Sequence, residues 1–220
     1  NCYNTGTIGT PSFGYVMGGI VGGQSCDVIN CYNSGTVYAS SGGCGGGIKG
    51  DGGGNIINCY NSGNIYGKYQ AGGILGSSIR KMTEIRNCYN VGTVTIPANS
   101  TYPESYGSIA GSQAPREAAP YDEPLTVVNC YALEGTGNGT NRMVGYMDDP
   151  STSNVICAQT EDEMAKTAVE LSEPAFADLL NAGQLPEAWS PSRKDPTVRY
   201  AYPWLSWMMD DPGAPGTVSA

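Results

Sequence analysis

An Asn-Cys-Tyr block recurs five times along the chain, and a sequence built on such a repeat is constrained to stack copies of one unit. The blocks begin at Asn1, Asn30, Asn58, Asn87 and Asn129 and read NCYNTGTI, NCYNSGTV, NCYNSGNI, NCYNVGTV and NCYALEGT. Cys2, Cys31, Cys59, Cys88 and Cys130 are therefore 29, 28, 29 and 42 residues apart, and Cys157 reads as a degenerate sixth start. A second block comes after the first within each period: Gly18-Gly19-Ile20-Val21-Gly22, Gly46-Gly47-Ile48-Lys49-Gly50, Gly72-Gly73-Ile74-Leu75-Gly76 and Gly107-Ser108-Ile109-Ala110-Gly111, with a worn copy at Arg142-Met143-Val144-Gly145.

A period near 28 residues excludes most repeat architectures. The pieces between glycine, asparagine and serine turns are short and β-prone, such as Val28-Ile29, Gly35-Thr36-Val37-Tyr38 and Ile56-Ile57, and helical periodicity is lacking. Propeller blades need roughly 40 residues or more. A coil of two or three short strands fits the period, and stacked coils would pair in parallel about 4.8 Å apart. The expected fold is all-β: a parallel β-helix, or β-solenoid, of five to six coils over residues 1–157. Repeated glycines then serve turns that need positive φ and places where backbones approach closely. The 42-residue period carries two extra segments, Pro97–Pro103 and Ala114–Pro124, which read as loops that either simply grew or bind a ligand.

After Cys157 the pattern changes. Residues 161–169 read as a short helix with acids in its first turn, and Ser172 as the cap of a second helix, with Pro174 in its first turn and Gly183 past its end. Phe176, Leu179 and Leu180 form the apolar stripe of that second helix, and an aromatic piece, Tyr200–Trp207, comes next. An exposed final coil invites edge-to-edge association, so residues 158–209 are expected to cap it. Residues 210–220 have linker composition and point to a further domain, and an opening directly on a repeat block points to more chain before it.

The pairing of GGIVG with NCYNSGTV resembles the GLUG motif of bacterial surface proteins and of IgA-protease-like metallopeptidases, and the segment around AFADLLN and YPWLSW is similar to the one that often succeeds such arrays. The resemblance covers nearly the whole chain. It implies an extracellular or cell-surface bacterial repeat region, outside any catalytic domain, and it transfers no catalytic residues and no ligand; the sequence has no HExxH.

Candidate chemistry is sparse. The formal net charge is −9 and histidine is absent, so nucleic acid is not expected as a partner and the commonest general base and metal ligand are missing. No apolar run is long enough to insert in a membrane. In-register cysteines would have parallel Cβ vectors, which suits neither disulfides nor a zinc site, so Cys2, Cys31, Cys59, Cys88 and Cys130 are expected as a structural ladder of buried thiols, with Cys26 and Cys44 off it and not paired with each other. The Asn before each Cys is expected to be a turn residue that resets strand alternation; otherwise Arg86 would point inward with Cys88. Tyr3, Tyr32, Tyr60, Tyr89 and Tyr131 then form an aromatic stripe on one face, which either packs along the rod or stacks against a host glycan or protein. Carboxylate pairs at Asp148-Asp149, Glu161-Asp162-Glu163 and Asp210-Asp211 lie outside the repeat strands, and Asp51-Gly52-Gly53-Gly54 reads as a glycine-rich turn. No catalytic residue, cofactor or metal site is assigned. The expected function is a non-catalytic stalk or adhesin-type module; the alternatives are a carbohydrate-active β-helix or an accessory region of a secreted peptidase.

Overall fold

The computed structural model describes residues 1–78, 83–113, 124–146, 154–191 and 202–209. It is a parallel β-solenoid. Five parallel sheets run along the rod, with orders that step from coil to coil, and every pairing within them is in register. The coils are more finely divided than the sequence suggests. The second coil alone contributes Tyr32–Asn33, Val37–Ala39, Cys44–Gly46, Lys49–Asp51 and Ile56–Ile57, five strands where two or three were expected. Strands of two to four residues let the chain turn five corners in 28 residues.

Two asparagines per block set two of those corners. Asn30, Asn58, Asn87 and Asn129, each just before a repeat cysteine, sit at φ of 51–56° in the left-handed region. Asn tolerates that region better than most residues, and the kink resets strand alternation. Arg86 accordingly stays exposed while Cys88 is fully buried. These asparagines also form a ladder: the Nδ2 of Asn58 donates to Asn30 Oδ1 at 3.0 Å, and that of Asn129 to Asn87 Oδ1 at 2.8 Å.

A second ladder, from the Asn after each Tyr, was not anticipated. Asn33, Asn61 and Asn90 are fully buried. Each folds an Asx turn by donating to the carbonyl two residues on at 2.8 Å, and each accepts from that residue's N–H. Their remaining amide hydrogens link coil to coil, Asn4 to Asn33 and Asn33 to Asn61 at 2.7 Å and Asn61 to Asn90 at 2.8 Å. This ladder explains the second block. A Cβ on Gly19, Gly47 or Gly73 would lie 2.3–2.5 Å from the side chain of Asn33, Asn61 or Asn90, and a Cβ on the preceding glycine would strike a backbone carbonyl at 2.0 Å or less. Those glycines are held by close approach, not by positive φ. The register shows the two blocks changing together: in the copy where glycine becomes Ser108, the corresponding asparagine of the next coil has become Ala132.

Most of the remaining interior is apolar, with Lys49, Gln70 and several serines as buried exceptions. Val28, Ile48, Ile56, Ile74, Leu75, Ile85, Ile109, Leu125, Val127 and Met143 pack with Cys31, Cys59, Cys88 and Cys130 into one continuous core. The final coil departs from expectation. Cys157 pairs with Val127, three residues ahead of the cysteine ladder, and is exposed, so it does not begin a sixth block. The sixth rung is instead Ala165–Lys166, paired with Ala132-Leu133.

Candidate functional site

The tyrosines of the repeat all emerge on one flank of the rod, because the cysteine before each points inward. Tyr3, Tyr32, Tyr60 and Tyr89 stack with ring centroids 5.0–5.3 Å apart and planes within 7°. A ring needs neighbours at about this separation to gain from offset stacking, and a parallel ladder supplies it.

This flank is covered. The single helix expected at 161–169 is broken into α1 (Glu161–Met164) and α2 (Ala168–Ser172), because Ala165–Lys166 extends the sheet between them. Each short helix is started by a capping box: Thr160 with Glu163, and Thr167 with Glu170. Ser172 ends α2 instead of capping the next helix; α3 (Pro174–Asn181) starts behind Glu173, with Pro174 in its first turn. Ala165–Lys166 and α1 cover the last coil as the expected cap, and the described residues from α2 onward also fold back along the tyrosines. Phe176 sets its edge on Tyr131 and Tyr89 at 5.3 and 5.7 Å. Trp189 tilts over Tyr89 and Tyr60 at 5.3 and 6.0 Å, and Trp207 reaches Tyr32 at 6.3 Å, three coils from α3.

Polar contacts fix the register of this flank. Tyr89 Oη donates to the Pro203 carbonyl and Trp207 Nε1 to that of Asn30. The outer asparagine ladder is engaged as well: Asn129 Nδ2 donates to the Leu179 carbonyl at 2.6 Å, and Gln184 Nε2 to Asn58 Oδ1 at 3.1 Å. Within the segment, Asn181 bonds both the N–H and the carbonyl of Trp189 at 2.9 Å, and Trp189–Ser190 pairs antiparallel with Trp204–Leu205. Phe176, Ala177 and Leu180 are buried; Leu179, expected on the same stripe, is exposed, and Ala177 takes its place.

Most of the stripe is therefore covered by the chain itself. Tyr32, Tyr60, Tyr89 and Tyr131 are each 6% exposed or less; only Tyr3, at 39%, has an open ring. Packing along the rod accounts for them. Other tyrosines do face solvent in part: Tyr38 and Tyr66 stack at 4.8 Å, and Tyr69 meets the edge of Tyr102 at 5.9 Å with the Lys68 ammonium over its ring.

All eight cysteines are free thiols. Burial, with neighbouring Cys130 and Cys59, holds the Cys88 thiol well above the ordinary range, and burial with Asp51 pushes Cys44 up to about 12. Such thiols are protonated and unreactive at neutral pH. Cys44 is no bystander: its Sγ donates to Gln70 Oε1, and Gln70 Nε2 to Ser112 Oγ, both at 2.7 Å.

Lys49 was not singled out in the sequence, yet among the described residues it is a charged side chain lying fully inside. It stands in register with Val21 and Leu75, and its ammonium donates to the carbonyls of Cys26 and Gly53 at 2.6 and 3.0 Å. Burial lowers its pKa. The signal was present: one charged residue in a repeat position otherwise held by Val, Leu and Ala.

Glu161 and Glu163 serve structure, Glu161 Oε1 accepting from Met143 N–H at 3.0 Å and Glu163 closing its capping box. Asp51 turns its own loop by accepting from Gly52 N–H. Asp148-Asp149, Asp210-Asp211, most of the loop at 114–124 and the linker 210–220 lie outside the described residues. Among the described residues, three or more metal-ligating side chains do not cluster, and no helix is long and apolar enough to cross a membrane.

Comparison with known proteins agrees with this architecture. The GLUG motif matches residues 14–38, which span the second block of the first coil and the first block of the next. The chain is thus a β-solenoid carrying the GLUG motif. Among solved structures it is similar to the "Crystal structure of a putative immunoglobulin A1 protease from Bacteroides ovatus", with a TM-score of 0.56 and 27% identity. That match covers 94% of this chain and 57% of the other, so the chain spans little more than half the length of its structural relative. No curated protein matches the sequence.

Proposed function

We propose that the chain is a non-catalytic rod within a secreted or surface-exposed bacterial protein, which spaces or presents other parts of that protein. One observation carries the reading. The residues that recur, Asn, Cys, Tyr, Asn and the paired glycines, are spent on coil-to-coil ladders and on the covered flank. A repeat whose recurring side chains are consumed by its own stacking encodes length and stiffness. Ligand contacts, if the rod makes them, fall to residues between the blocks, and the part-exposed Tyr38, Tyr66, Tyr69 and Tyr102 are the side chains we assign to a glycan or protein partner.

A second reading, an accessory region of a secreted peptidase, is favoured by the likeness to the Bacteroides ovatus structure. One experiment separates the two. The purified chain is incubated with immunoglobulin A1 and with a panel of host and bacterial glycans, and both binding and covalent change are measured. The rod reading expects every substrate to remain intact by mass spectrometry, and any glycan retention to fall in Tyr66→Ala but not in Leu179→Ala. Tight capture of immunoglobulin A1 without cleavage would favour the accessory reading. Turnover of any substrate would overturn both.

A further inference from the structure

Four tyrosines outside the Asn-Cys-Tyr blocks lie along one sheet and the bend after it, where the ladders do not account for them. Val37 and Ile65 are fully buried and in register, so the next residue on each strand, Tyr38 and Tyr66, points outward. The two rings are part-exposed and stack at 4.8 Å with planes 11° apart. The coils on either side end the stack. The coil before has Gly9, where a Cβ would meet the Tyr38 carbonyl oxygen at 2.4 Å, and the coil after has Thr95 in register with Tyr66. Just beyond Tyr66 the chain bends, and there Tyr69 meets the edge of Tyr102 at 5.9 Å. Tyr102 belongs to Pro97–Pro103, one of the segments that lengthen the fourth period, and Ser100 Oγ ties that segment to the Lys68 carbonyl at 2.7 Å.

One cation stands among these rings. The Lys68 side chain is exposed, its ammonium lies 5.7 Å from the Tyr69 centroid, and among the described residues it forms no ion pair, whereas Arg86 and Arg142 each hold a glutamate. On a chain of formal net charge −9, an unpaired ammonium beside part-exposed rings complements an anion that also carries an apolar face. A sugar acid is such a molecule: its ring presents a flat face of C–H groups, and its carboxylate is fixed to the same ring. A protein partner draws most of its affinity from anchors that fill desolvated pockets, and these rings stand on the outside of their strands instead.

We infer that this surface binds an acidic glycan, with the C–H faces of its sugars on Tyr38, Tyr66, Tyr69 and Tyr102 and a sugar carboxylate at Lys68. The inference rests on the assignment of these tyrosines to a partner made above and narrows it to one class. It can fail alone, because a neutral ligand, or none, leaves the non-catalytic rod standing.

The test titrates the whole chain by calorimetry with a hyaluronan hexasaccharide, an oligogalacturonate of equal length, and the carboxyl-reduced form of each. The two acidic probes separate an animal from a plant source of the same chemistry. At least one should bind ~10-fold more tightly than its reduced form, with the difference shrinking as salt rises, as for any exposed charge pair. Lys68→Gln should abolish that preference and leave binding of the reduced form unchanged. Tyr66→Ala should weaken both forms ~10-fold, while Tyr66→Phe, which keeps the ring, should bind as the parent does, separating loss of the ring from loss of the fold. Equal affinity for acidic and reduced forms, a preference that survives Lys68→Gln, or no binding of any probe would overturn the inference. So would capture of deglycosylated immunoglobulin A1 that is lost in Tyr66→Ala, which would make a protein the occupant.

Discussion

The interior of the rod and its tyrosine flank are built from the same repeat and stabilised in opposite ways. Inside, each recurring residue meets its own copies: Asn33 lies between Asn4 and Asn61, and Cys59 between Cys31 and Cys88. On the flank, recurring tyrosines meet residues that occur once, Phe176, Leu180, Trp189 and Trp207. The interior thus extends indefinitely in principle, whereas the flank is finite and specific to this chain. Stacking decides that there is a rod; the flank decides how much apolar surface it shows.

The largest effect should come from removing the flank. A chain ending at Cys157 would leave four tyrosine rings bare, and exposed apolar patches of this kind drive association. The shortened chain should sediment as large oligomers or precipitate. A monomer with an unchanged melt would show that the interior alone suffices.

Next in size is a single break in the inner ladder. Asn61→Asp removes two donors and places a carboxylate among buried groups, for which about 3–5 kcal/mol of destabilisation is expected by analogy with a broken buried pair. Urea denaturation checks it; a loss below about 1 kcal/mol would mean that the ladder contributes no more than an ordinary hydrogen bond. On the flank, neighbouring leucines in α3 give an internal control. Leu180→Ala should cost ~2–5 kcal/mol and Leu179→Ala no more than ~0.5, since only the first is buried. Equal costs would contradict the orientation of α3.

The same contrast explains how much of the molecule was legible in its sequence. The solenoid, the buried Cys31, Cys59, Cys88 and Cys130 and the kink before them could be read because a recurring residue advertises its partner, namely itself; Cys2, expected on the same buried ladder, is exposed. The inner asparagines recurred just as plainly, but their role depends on glycines of the neighbouring block, and only the register reveals that Gly73 with Asn90 has been exchanged for Ser108 with Ala132. The flank was hardest. A helix with an apolar stripe seeks the largest apolar surface, and the sequence offers both a final coil and a row of tyrosines. Leu179 was misplaced for the same reason, since a stripe read at helical spacing does not say that Ala177 lies nearer the rings. Lys49 broke its repeat position visibly, but only the fold places the two carbonyls that receive it.

The smallest effect concerns pH. Cys44 has its thiol pKa raised from 9.0 to about 12 in the fold. The folded state therefore keeps a proton that the unfolded chain gives up above pH 9, and the stability linked to it is complete below pH 9 and lost as pH rises toward 12. Melts between about pH 8 and 10.5 should fall with pH, with a shallower slope in Cys44→Ser whatever its absolute stability. Parallel slopes would mean that Cys44 titrates normally.

The central claim, that the flank and the ladders form one cooperative structure, has a direct optical test. All three tryptophans, Trp189, Trp204 and Trp207, belong to the flank, while far-ultraviolet circular dichroism is dominated by the rod. A single thermal melt monitored by tryptophan fluorescence and by circular dichroism should give superimposable transitions, as required of a two-state unit. A fluorescence transition completed at lower temperature, with the β signal intact, would show that the segment is a detachable appendage and contradict the account.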